Sequence, residues 1–579
     1  MSIISSRKSI STSILKTATP FREDTIRKSK QLRFQVDNLS SVKEILLAAE
    51  NGNMKEYMDL IYKLSQENIL DETLIKTLKE SIGCVQVFKL DFVLLIETIL
   101  NIRWINKSDE IIELYHRFII DILTAKPEFL TKCCSKILTI FIPGENEANE
   151  WKNGVPNAEL AEKLDKTHNL IKKIYEAIPM LPVTLRRCIT DMFPYRKQST
   201  YKIAGYIYNL LKILDSCQSM VHDILETIFE SLLAIDLSLS RGDIEDGEEE
   251  LIDEAQNENT NADSDTMKLP IAETLDVCMD LMFSYFYSKL NSESKTPLNE
   301  QKVIEKSIFE YFDEHLLKTH NSKHVHFIFF YIASFKKSFL LELLKNLLDK
   351  ILDRNKPSII RQTAVGYLSS LLARAKFIPI ELMKKYLEHL SNFAHDYIKM
   401  CHSININLSP RAHLVFHATC QAIFYIIAFR SKDLNLINST RNLQYLLLLD
   451  LSPIVKHPLN PLNYCLPAIA TIFDNVMTRH QILYCHTILV KNASKKLATV
   501  FMNEEYHPEE VIESVFPFDP YLLKKSGKKI HPIYIEYQSD EEDISHQNSP
   551  KAHKRTRNES ECDDFFIVPA KKFKSGSID

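Results

Sequence analysis

This sequence predicts an all-α protein with the architecture of a HEAT-repeat-like α-solenoid. Apolar residues recur at helical spacing through most of residues 42–502, without alternating runs that would indicate a sheet. Only 10 of the 579 residues are glycine, fewer than an α/β enzyme needs for its many tight turns. Helical stretches that pair into units of roughly forty residues are typical of solenoid repeats. A multidomain helical protein is the structural alternative.

The region between positions 221 and 233 shows the helical spacing most clearly. Its apolar residues, which alternate steps of three and one, are Val221, Ile224, Leu225, Ile228, Phe229, Leu232 and Leu233. Steps of this size place all of them on one face of a helix. The spacing repeats at 203–214 and 344–352. Prolines such as Pro357 and Pro379 mark the breaks between helices, because proline cannot continue a helix.

Charge and composition divide the chain into a helical body and three segments without a helical pattern. Residues 39–535 form the predicted solenoid, and residues 1–38 form an arm rich in Ser, Thr, Lys and Arg. Residues 243–266 contain eleven acidic residues and no lysine or arginine, and residues 536–579 begin acidic and become basic. We expect the arm, the acidic loop and the tail to be disordered, because such segments bury too little apolar surface to offset their ordering entropy.

The glycines exclude the common phosphate-binding loops. No two are close enough for a GxGxxG turn, and Gly242 and Gly247, which have P-loop spacing, are not followed by Lys-Ser/Thr. The sequence also lacks HExxH, GxSxG and the protein-kinase motifs, which carry the chemistry of common hydrolases and kinases. We therefore predict that the protein is not an enzyme and needs no cofactor and no metal.

Net charge and hydropathy limit the classes of partner that we expect the protein to bind. The net charge of −5 does not favour nucleic acid, so we expect any DNA contact to be indirect or weak. The longest apolar run, Phe327 to Phe335, is about half the length of a membrane span, and we expect no membrane partner. The eleven cysteines are scattered without a CxxC pair, which favours a reducing compartment.

Two histidine clusters are the candidate metal sites of the sequence. His413, His417 and Cys420 have the spacing of one helical face, where three such groups can bind zinc. Flanking phenylalanines favour a partly buried aromatic helix instead. The second cluster is His320, His324 and His326, just before an apolar run. For these, solvent-facing or helix-capping histidines are the better interpretation.

Four sequence blocks give more specific evidence of function than the composition does. They are PSIIRQTAVGYLSSLLARAKFIP at 357–379, ATCQAIFYIIAFR at 418–430, LNPLNYCLP at 459–467 and FPFDPYLLKKSGKKIHPIY at 516–534. In this order they resemble the RNA polymerase I-specific transcription initiation factor family, called TIF-IA in animals. Weaker matches at 324–336 and 192–200 extend the resemblance over about residues 180–535, and the residues before it match only in helical character.

The resemblance implies a HEAT-repeat protein without catalytic activity in the nucleus and nucleolus. Members of the family bind RNA polymerase I near its stalk and join it to the promoter-bound core (selectivity) factor on ribosomal DNA. Phosphorylation switches that competence, and we expect the free chain to form a homodimer. A nuclear transport or generic scaffold solenoid is the first alternative, and a direct DNA binder is the second.

The expected regulatory contact is the block before the helix that starts near Tyr201. Ser199 and Thr200 follow Arg196 and Lys197, and the resemblance places this block on a polymerase-facing surface that is sensitive to phosphorylation. One hydroxyl is also expected to cap the helix by accepting an N–H of its first turn.

Other predicted functional residues lie in the family blocks and in the tails. The surface predicted from the family blocks comprises Arg361, Arg374, Lys376, Phe516, Phe518 and Asp519. Arg354, Lys356, Arg361, Arg374 and Lys376 lie close together in the sequence. One interpretation is a basic patch for an acidic partner or a nucleic-acid backbone, and the other is an ordinary solvated helix face. Phosphorylation in the tails is predicted at Ser539, Ser549 and Thr19. The predicted nuclear import signal comprises Lys551, Lys554, Arg555, Arg557, Lys571, Lys572 and Lys574.

Overall fold

The computed structural model describes most of the predicted helical body. The described residues are 41–66, 69–245, 265–319, 322–402, 410–434, 439–501, 516–518 and 520–536. The predicted arm, most of the acidic loop and nearly all of the tail lie outside these residues. The described chain forms two compact units, with the boundary between Ala125 and Lys126. None of the helices in this part of the chain combines the length and hydropathy of a membrane span.

Five α-helices lie within the described residues of the first unit. They are α1 (Val42–Glu50), α2 (Lys55–Leu64), α3 (Asp71–Gly83), α4 (Val93–Leu100) and α5 (Asp109–Ala125). A capping box starts α1, in which Ser41 accepts the N–H of Glu44 and the Glu44 carboxylate accepts the N–H of Ser41. This reciprocal pair satisfies two N–H groups that a helix start otherwise leaves without partners.

The described residues at the start of the second unit form a short hairpin and a run of longer helices. The helices are α6 (Leu130–Ile140), α7 (Ala158–Ala177), α8 (Leu181–Asp191), α9 (Thr200–Ile213), α10 (Val221–Ser238) and α11 (Pro270–Leu290). In α10 the predicted apolar stripe is buried along its whole length, from Val221 to Leu233. The helical spacing of the sequence therefore identified the packed face of this helix correctly.

The rest of the second unit continues the succession of helices. The longer ones are α12 (Leu298–Glu314), α13 (Phe327–Phe335), α14 (Lys337–Leu352), α15 (Ser358–Arg374), α16 (Ile380–His402) and α17 (Leu414–Phe429). They are followed by α18 (Ser431–Leu434), α19 (Thr440–Leu448), α20 (Ser452–Val455), α21 (Pro461–Tyr464), α22 (Pro467–Arg479), α23 (His486–Phe501) and the single turn α24 (Gly527–Ile530).

Helices α15 and α17 form the centre of the second unit. Helix α15 packs against both α14 and α17, and α17 also contacts α16 and α22. Every residue of α17 from Val415 to Phe429 is buried. A helix that is apolar on all sides is expected at such a position, because it has no face toward water.

The hairpin between α6 and α7 uses one of the few glycines. Strand β1 (Trp151–Lys152) pairs with β2 (Val155–Pro156) in antiparallel register. The two turn residues, Asn153 and Gly154, have φ angles of 51° and 75°, as the tight turns of two-residue hairpins require. A Cβ atom on Gly154 would lie 2.6 Å from Leu281 of α11. Glycine is therefore required here by both backbone conformation and packing.

Candidate functional site

The predicted regulatory block forms an exposed loop between α8 and α9. Arg196, Lys197 and Ser199 are exposed, and Ser199 occupies the N-cap position of α9. The Ser199 hydroxyl does not accept an N–H of the first turn, so the expected capping hydrogen bond is absent. The extended backbone of Ser199, with φ −58° and ψ 143°, starts the helix without it. The hydroxyl is thus open to solvent rather than committed to the fold.

Thr200 differs from its neighbour because its hydroxyl is part of the packing. The side chain is half-buried, and its Oγ1 lies 2.9 Å from Oγ1 of Thr274 on α11. Thr274 donates its own hydrogen to the carbonyl of Pro270 at 2.8 Å, so Thr200 is the donor in the pair. Of the two predicted phosphorylation sites, Ser199 is therefore the one at which a phosphate displaces no existing contact.

The block FPFDPYLLKKSGKKIHPIY folds back onto the centre of the second unit. We call residues 516–518 and 520–536 the C-terminal strap. The N–H of Phe518 donates to the Ser370 hydroxyl of α15 at 3.1 Å. Beyond the end of α15, Lys376 N–H donates to Ile533 O at 3.0 Å and Ile535 N–H donates to Arg374 O at 2.8 Å. Two sequence blocks that are far apart along the chain are therefore direct neighbours.

The prediction that these two blocks form a surface is wrong for three of its residues, because they are buried. Arg374, Phe516 and Phe518 are 2%, 7% and 1% exposed. The guanidinium of Arg374 lies 4.5 Å from the ring centre of Phe429 and 5.4 Å from that of Tyr534, an arrangement that favours a cation. These residues join the strap to the core. Arg361 is half-buried, Lys376 is exposed, and Asp519 lies outside the described residues.

The predicted basic patch is smaller than the sequence suggested. Arg354, Lys356 and Lys376 are exposed. The guanidinium of Arg361 donates to Ile351 O at 2.9 Å and lies 5.7 Å from the ring of Phe393, so it also has a packing role. With Arg374 buried, three of the five predicted cations remain fully on the surface.

Asp276 of α11 anchors the strap. Its carboxylate accepts the N–H groups of Lys524, Lys525 and Ser526 at 3.1, 2.7 and 2.8 Å, and the Ser526 hydroxyl at 2.5 Å. Burial raises the pKa of Asp276 above its usual value in spite of these hydrogen bonds. The phenol of Tyr521 is hydrogen-bonded to the Ser526 hydroxyl at 2.9 Å. We call the group of hydrogen bonds to Asp276 the cradle. It supplies acceptors for backbone N–H groups that have no helix or sheet partner in this irregular buried segment.

Lysines of the strap pair with acidic residues of α11 and the segment before it. Lys525 pairs with Glu273, and Lys528 pairs with Asp265. Lys529 pairs with Asp280 at 2.5 Å and also donates to the Ser284 hydroxyl at 2.8 Å. Charge complementarity therefore continues the Asp276 anchor along the strap and fixes its register on α11.

A second buried aspartate, Asp236 at the end of α10, holds the segment before α13. One carboxylate oxygen accepts the N–H groups of Lys323, His324 and Val325 at 2.8 to 3.3 Å. The other lies 2.9 Å from Nδ1 of His324. Burial raises the pKa of Asp236, but the hydrogen bonds from His324 outweigh it and hold the pKa below its usual range. The carboxylate therefore remains ionised.

The expectation of solvent-facing histidines was wrong for His324 and His326. His326 does occupy the N-cap position of α13, but its side chain makes no capping hydrogen bond. The two histidines are 1% and 0% exposed, and their rings meet the strap at Tyr521 and Phe518 with centroid distances of 5.4 and 5.3 Å. Burial lowers the pKa of His326 to about 3, so it is neutral at physiological pH. His320 lies outside the described residues.

The cluster of His413, His417 and Cys420 lies in a buried aromatic core. This agrees with the partly buried aromatic helix that the flanking phenylalanines indicated. The phenol of Tyr397 is hydrogen-bonded to Nδ1 of His413 at 2.8 Å. His417 packs against the ring of Tyr464 at 4.6 Å, and burial lowers the pKa of His417 to about 4. Cys420 is fully buried.

Sequence reasoning missed one group with potential metal ligands. Glu226, Glu230 and His315 have ligand atoms within 4.8 Å of one another. Arg186, however, already pairs with Glu226 at 3.2 Å, and a guanidinium in that position opposes a second cation. The group is better described as an ion-pair cluster between α8, α10 and the turn after α12.

Sequence reasoning also missed the two anchoring aspartates, although a signal was present. The apolar stripe of α10 reaches Leu233, and the next position at that spacing is Asp236. In α11, Asp276 lies between the buried residues Leu275 and Met279. A carboxylate on an otherwise apolar face indicates a buried partner, because an unpaired buried charge is too costly.

The remaining predicted sites lie outside the described residues. They are the tail phosphorylation sites Ser539, Ser549 and Thr19, and the import residues Lys551, Lys554, Arg555, Arg557, Lys571, Lys572 and Lys574. They stay predictions from the sequence.

Comparison with known families identifies the chain. Residues 35–542 match the family described as "RNA polymerase I specific transcription initiation factor RRN3". The chain belongs to this family. The RRN3 family is therefore the one that the four sequence blocks had indicated, and the resemblance inferred from them is confirmed.

Individual RRN3 relatives give the same assignment. The mouse protein named RNA polymerase I-specific transcription initiation factor RRN3 is 33% identical over 557 residues, which cover 91% of this chain and 85% of the mouse protein. The fission yeast protein rrn3 of Schizosaccharomyces pombe, named in the same way, is 23% identical, and the alignment covers 79% of each chain.

A solved structure supports the fold. The crystal structure of the RNA polymerase I transcription initiation factor Rrn3 matches with a TM-score of 0.68 at 18% identity, covering 86% of this chain and 97% of that one. This likeness confirms the predicted fold class, an all-α, solenoid-like architecture. RRN3-family members are initiation factors, and the work of RNA polymerase I takes place in the nucleus.

Proposed function

We propose that this RRN3-family chain binds RNA polymerase I near its stalk and bridges it to the promoter-bound core factor on ribosomal DNA. The family match over residues 35–542 carries the proposal. A succession of packed helices suits a bridging role, because it offers extended surfaces on which two partners can dock. In this proposal the chain works in the nucleolus without catalytic turnover, and the free chain forms a homodimer.

Removing the protein tests the bridging role. Depletion from a nuclear extract should abolish initiation at ribosomal promoters and leave elongation by engaged polymerases unchanged. Adding back the purified chain should restore initiation. Initiation that continues after complete depletion would disprove the proposal.

Phosphorylation of Ser199 is the proposed switch. Ser199 is exposed, its hydroxyl makes no capping hydrogen bond, and Arg196 and Lys197 precede it on the same exposed loop. A phosphate is favourable at the N-terminus of a helix, where N–H groups and the helix dipole both attract anions. The fold should therefore tolerate the modification while the loop changes from basic to acidic.

The change of charge at Ser199 is expected to weaken the binding of this loop to RNA polymerase I. If the loop meets an acidic surface of the polymerase, each new like-charge contact opposes association and costs up to several kcal/mol. Thr200 is a poorer switch, because a phosphate there would break its hydrogen bond to Thr274. The two neighbouring hydroxyls can therefore be separated by experiment.

A polymerase pull-down with single variants of the full chain makes this test. Ser199→Asp should lose RNA polymerase I and Ser199→Ala should keep it, with both variants folded by circular dichroism. Ser292→Asp, at an exposed serine in the loop after α11, is the matched control for an added charge and should bind normally. Equal binding by Ser199→Asp and Ser199→Ala would reject Ser199 as the switch and leave the bridging role intact.

Nuclear import is proposed to depend on the basic clusters beyond residue 550. A chain truncated after Ser549 should remain in the cytoplasm, and fusing residues 550–579 to an unrelated protein should bring that protein into the nucleus. Nuclear accumulation of the truncated chain would place the signal elsewhere, for example in the basic arm at residues 1–38.

A further inference from the structure

Large apolar side chains are exposed along helix α8 and in the loop that follows it. Val183 is 75% exposed, and Met180, which occupies the N-cap position of the helix, is 65% exposed. Tyr195, in the loop between α8 and α9, is 59% exposed. Helix α8 contains 11 residues and is therefore only about 16 Å long. Single exposed apolar residues are common, whereas several large ones within so short a distance indicate a binding surface.

Exposed cations accompany these apolar side chains. Arg187 lies one turn after Val183 on the same face of α8, and the loop continues with the exposed residues Arg196 and Lys197. The acidic residue of the helix, Asp191, pairs with Arg187 at 3.7 Å. No acidic residue of α8 is left to balance the positive charges of the loop, so an acidic partner is complementary to this surface.

Helix α6 extends the basic surface. Its turn from Thr131 to Ser135 lies against α8, because the Thr131 carbonyl oxygen and the Ser135 hydroxyl are each 3.8 Å from the sulfur of Cys188. Lys132 and Lys136 are exposed and lie one turn apart on the solvent side of α6, since residues at this spacing share a helix face. The cations of α6 therefore stand beside those of α8.

The loop that carries Tyr195 has an ordered base. Phe193 packs against the ring of Tyr206 on α9 with a centroid distance of 5.2 Å, and the Tyr206 hydroxyl donates to Ile189 O of α8 at 3.1 Å. A tight turn follows, closed by a hydrogen bond from Gln198 N–H to Tyr195 O at 2.8 Å. The backbone at Tyr195 is thus fixed before a partner binds, which lowers the entropic cost of association.

We propose that RNA polymerase I docks on the α6–α8 face, by which we mean the exposed faces of α6 and α8 together with residues 195–199. Tyr195 and Val183 enter apolar recesses of the polymerase, and the surrounding cations pair with its carboxylates. This inference rests on the proposed function, and it adds the contacts that hold the complex to the switch at Ser199. A protein surface fits better than nucleic acid, because a phosphate backbone offers no apolar partner for Val183.

A polymerase pull-down with single variants of the full chain tests the apolar anchors. Tyr195→Ala and Val183→Asp should each lower the affinity for RNA polymerase I about tenfold or more, as the loss of a central interface anchor does. Tyr484→Ala and Leu448→Asp are the matched controls and should bind normally. Tyr484, between α22 and α23, is 63% exposed, and Leu448, at the end of α19, is 83% exposed. Circular dichroism confirms that each variant is folded.

The double variant Lys132→Glu/Lys136→Glu tests the extension onto α6. It should weaken polymerase binding clearly at low salt and much less at high salt, because salt screens exposed charges. A fluorescently labelled DNA duplex is the probe for nucleic acid, and the natural chain should bind it only weakly. Tight binding of the duplex that this double variant abolishes would overturn the choice of a protein partner.

The outcomes separate this inference from the proposed function. Normal polymerase binding by Tyr195→Ala and Val183→Asp, while Ser199→Asp still loses the polymerase, would overturn the α6–α8 face and leave the switch intact. A natural chain that binds no RNA polymerase I at all would instead reject the proposed function and this inference with it.

Discussion

The loop before α9 and the C-terminal strap have similar compositions but opposite structural roles. Both are irregular segments that place a serine beside basic residues, RKQS in the loop and KKSGKK in the strap. In the strap, Lys525, Lys528 and Lys529 meet carboxylates, and Ser526 is fully buried. In the loop, Arg196, Lys197 and Ser199 face solvent. Basic clusters thus indicate a partner, and only the structure shows whether the partner lies within the chain.

The strap should be the more sensitive of the two regions, with Asp276 as its most sensitive residue. Asp276→Ala would leave three N–H groups and the Ser526 hydroxyl buried without their acceptor, so we expect a loss of about 3 to 5 kcal/mol in the free energy of unfolding. Denaturant unfolding monitored by circular dichroism measures the loss.

Asp280→Ala is the matched control for that experiment. Asp280 lies one turn further along α11 and pairs with Lys529, but its side chain is 30% exposed. Its loss should cost less than about 1 kcal/mol, as is usual for partly exposed ion pairs. Equal losses for Asp276→Ala and Asp280→Ala would mean that the cradle is not what anchors the strap.

Acid should weaken the packed centre and leave the exposed loop unaffected. His326 and His417 have pKa values of about 3 and 4, below the value near 6.5 expected in the unfolded chain. The unfolded state therefore binds more protons below pH 6.5, and folding stability falls as pH decreases. From pH 6.5 to 5 we expect a loss of roughly 2 kcal/mol for each histidine.

The variant His417→Phe checks the origin of this pH dependence. It removes one titrating group from a pocket that is already aromatic, so the slope of stability against pH below about pH 6 should fall by roughly 1.4 kcal/mol per pH unit. An unchanged slope in His417→Phe would show that other groups govern the acid response.

Arg374 is buried, whereas Lys376, two residues later in the same sequence block, is exposed. Replacing each of them gives a second comparison, with a smaller expected difference in stability. Arg374→Met would remove a cation held between two aromatic rings, and we expect a loss of about 1 to 2 kcal/mol. Lys376→Met should change stability by less than about 0.5 kcal/mol, as is usual for surface positions. Thermal unfolding of both variants measures the difference, and a reversed order would contradict the burial of Arg374.

The smallest expected effect on stability belongs to the loop. Ser199→Asp places a negative charge at the start of α9, where the helix dipole favours it by up to about 1 kcal/mol. Thermal unfolding should therefore show an unchanged or slightly raised midpoint. A clear loss of stability would mean that Ser199 has a packing role that its exposure does not suggest.

Helical periodicity predicted the fold well because each helix satisfies its own backbone. The spacing from Val221 to Leu233 depends only on which face is buried, and that face was identified correctly. The strap was not predicted because its hydrogen bonds join residues about 250 positions apart, such as Ser526 N–H to Asp276. No local pattern records such a partner, and a lysine-rich sequence is equally typical of a solvent-exposed segment.

The candidate site was predicted in position but not in detail. Exposure of Arg196, Lys197 and Ser199 follows from a polar segment between two helices. The difference between Ser199 and Thr200 depends on Thr274, which only the packing of α9 against α11 brings within 2.9 Å. The buried contacts of Arg374 arise in the same way, from ring positions supplied by α17 and the strap.

The separation between Asp276 and its strap partners has a consequence for biosynthesis. A ribosome adding about 5 to 20 residues per second needs roughly 12 to 50 s to progress from Asp276 to Ser526. In the later part of that time the aromatic residues that the strap will contact, including Phe327, Phe330 and Tyr367, have been synthesised but are not yet covered by it. The nascent second unit should therefore be a client for chaperones that bind exposed aromatic residues, until the strap has emerged and closed over them.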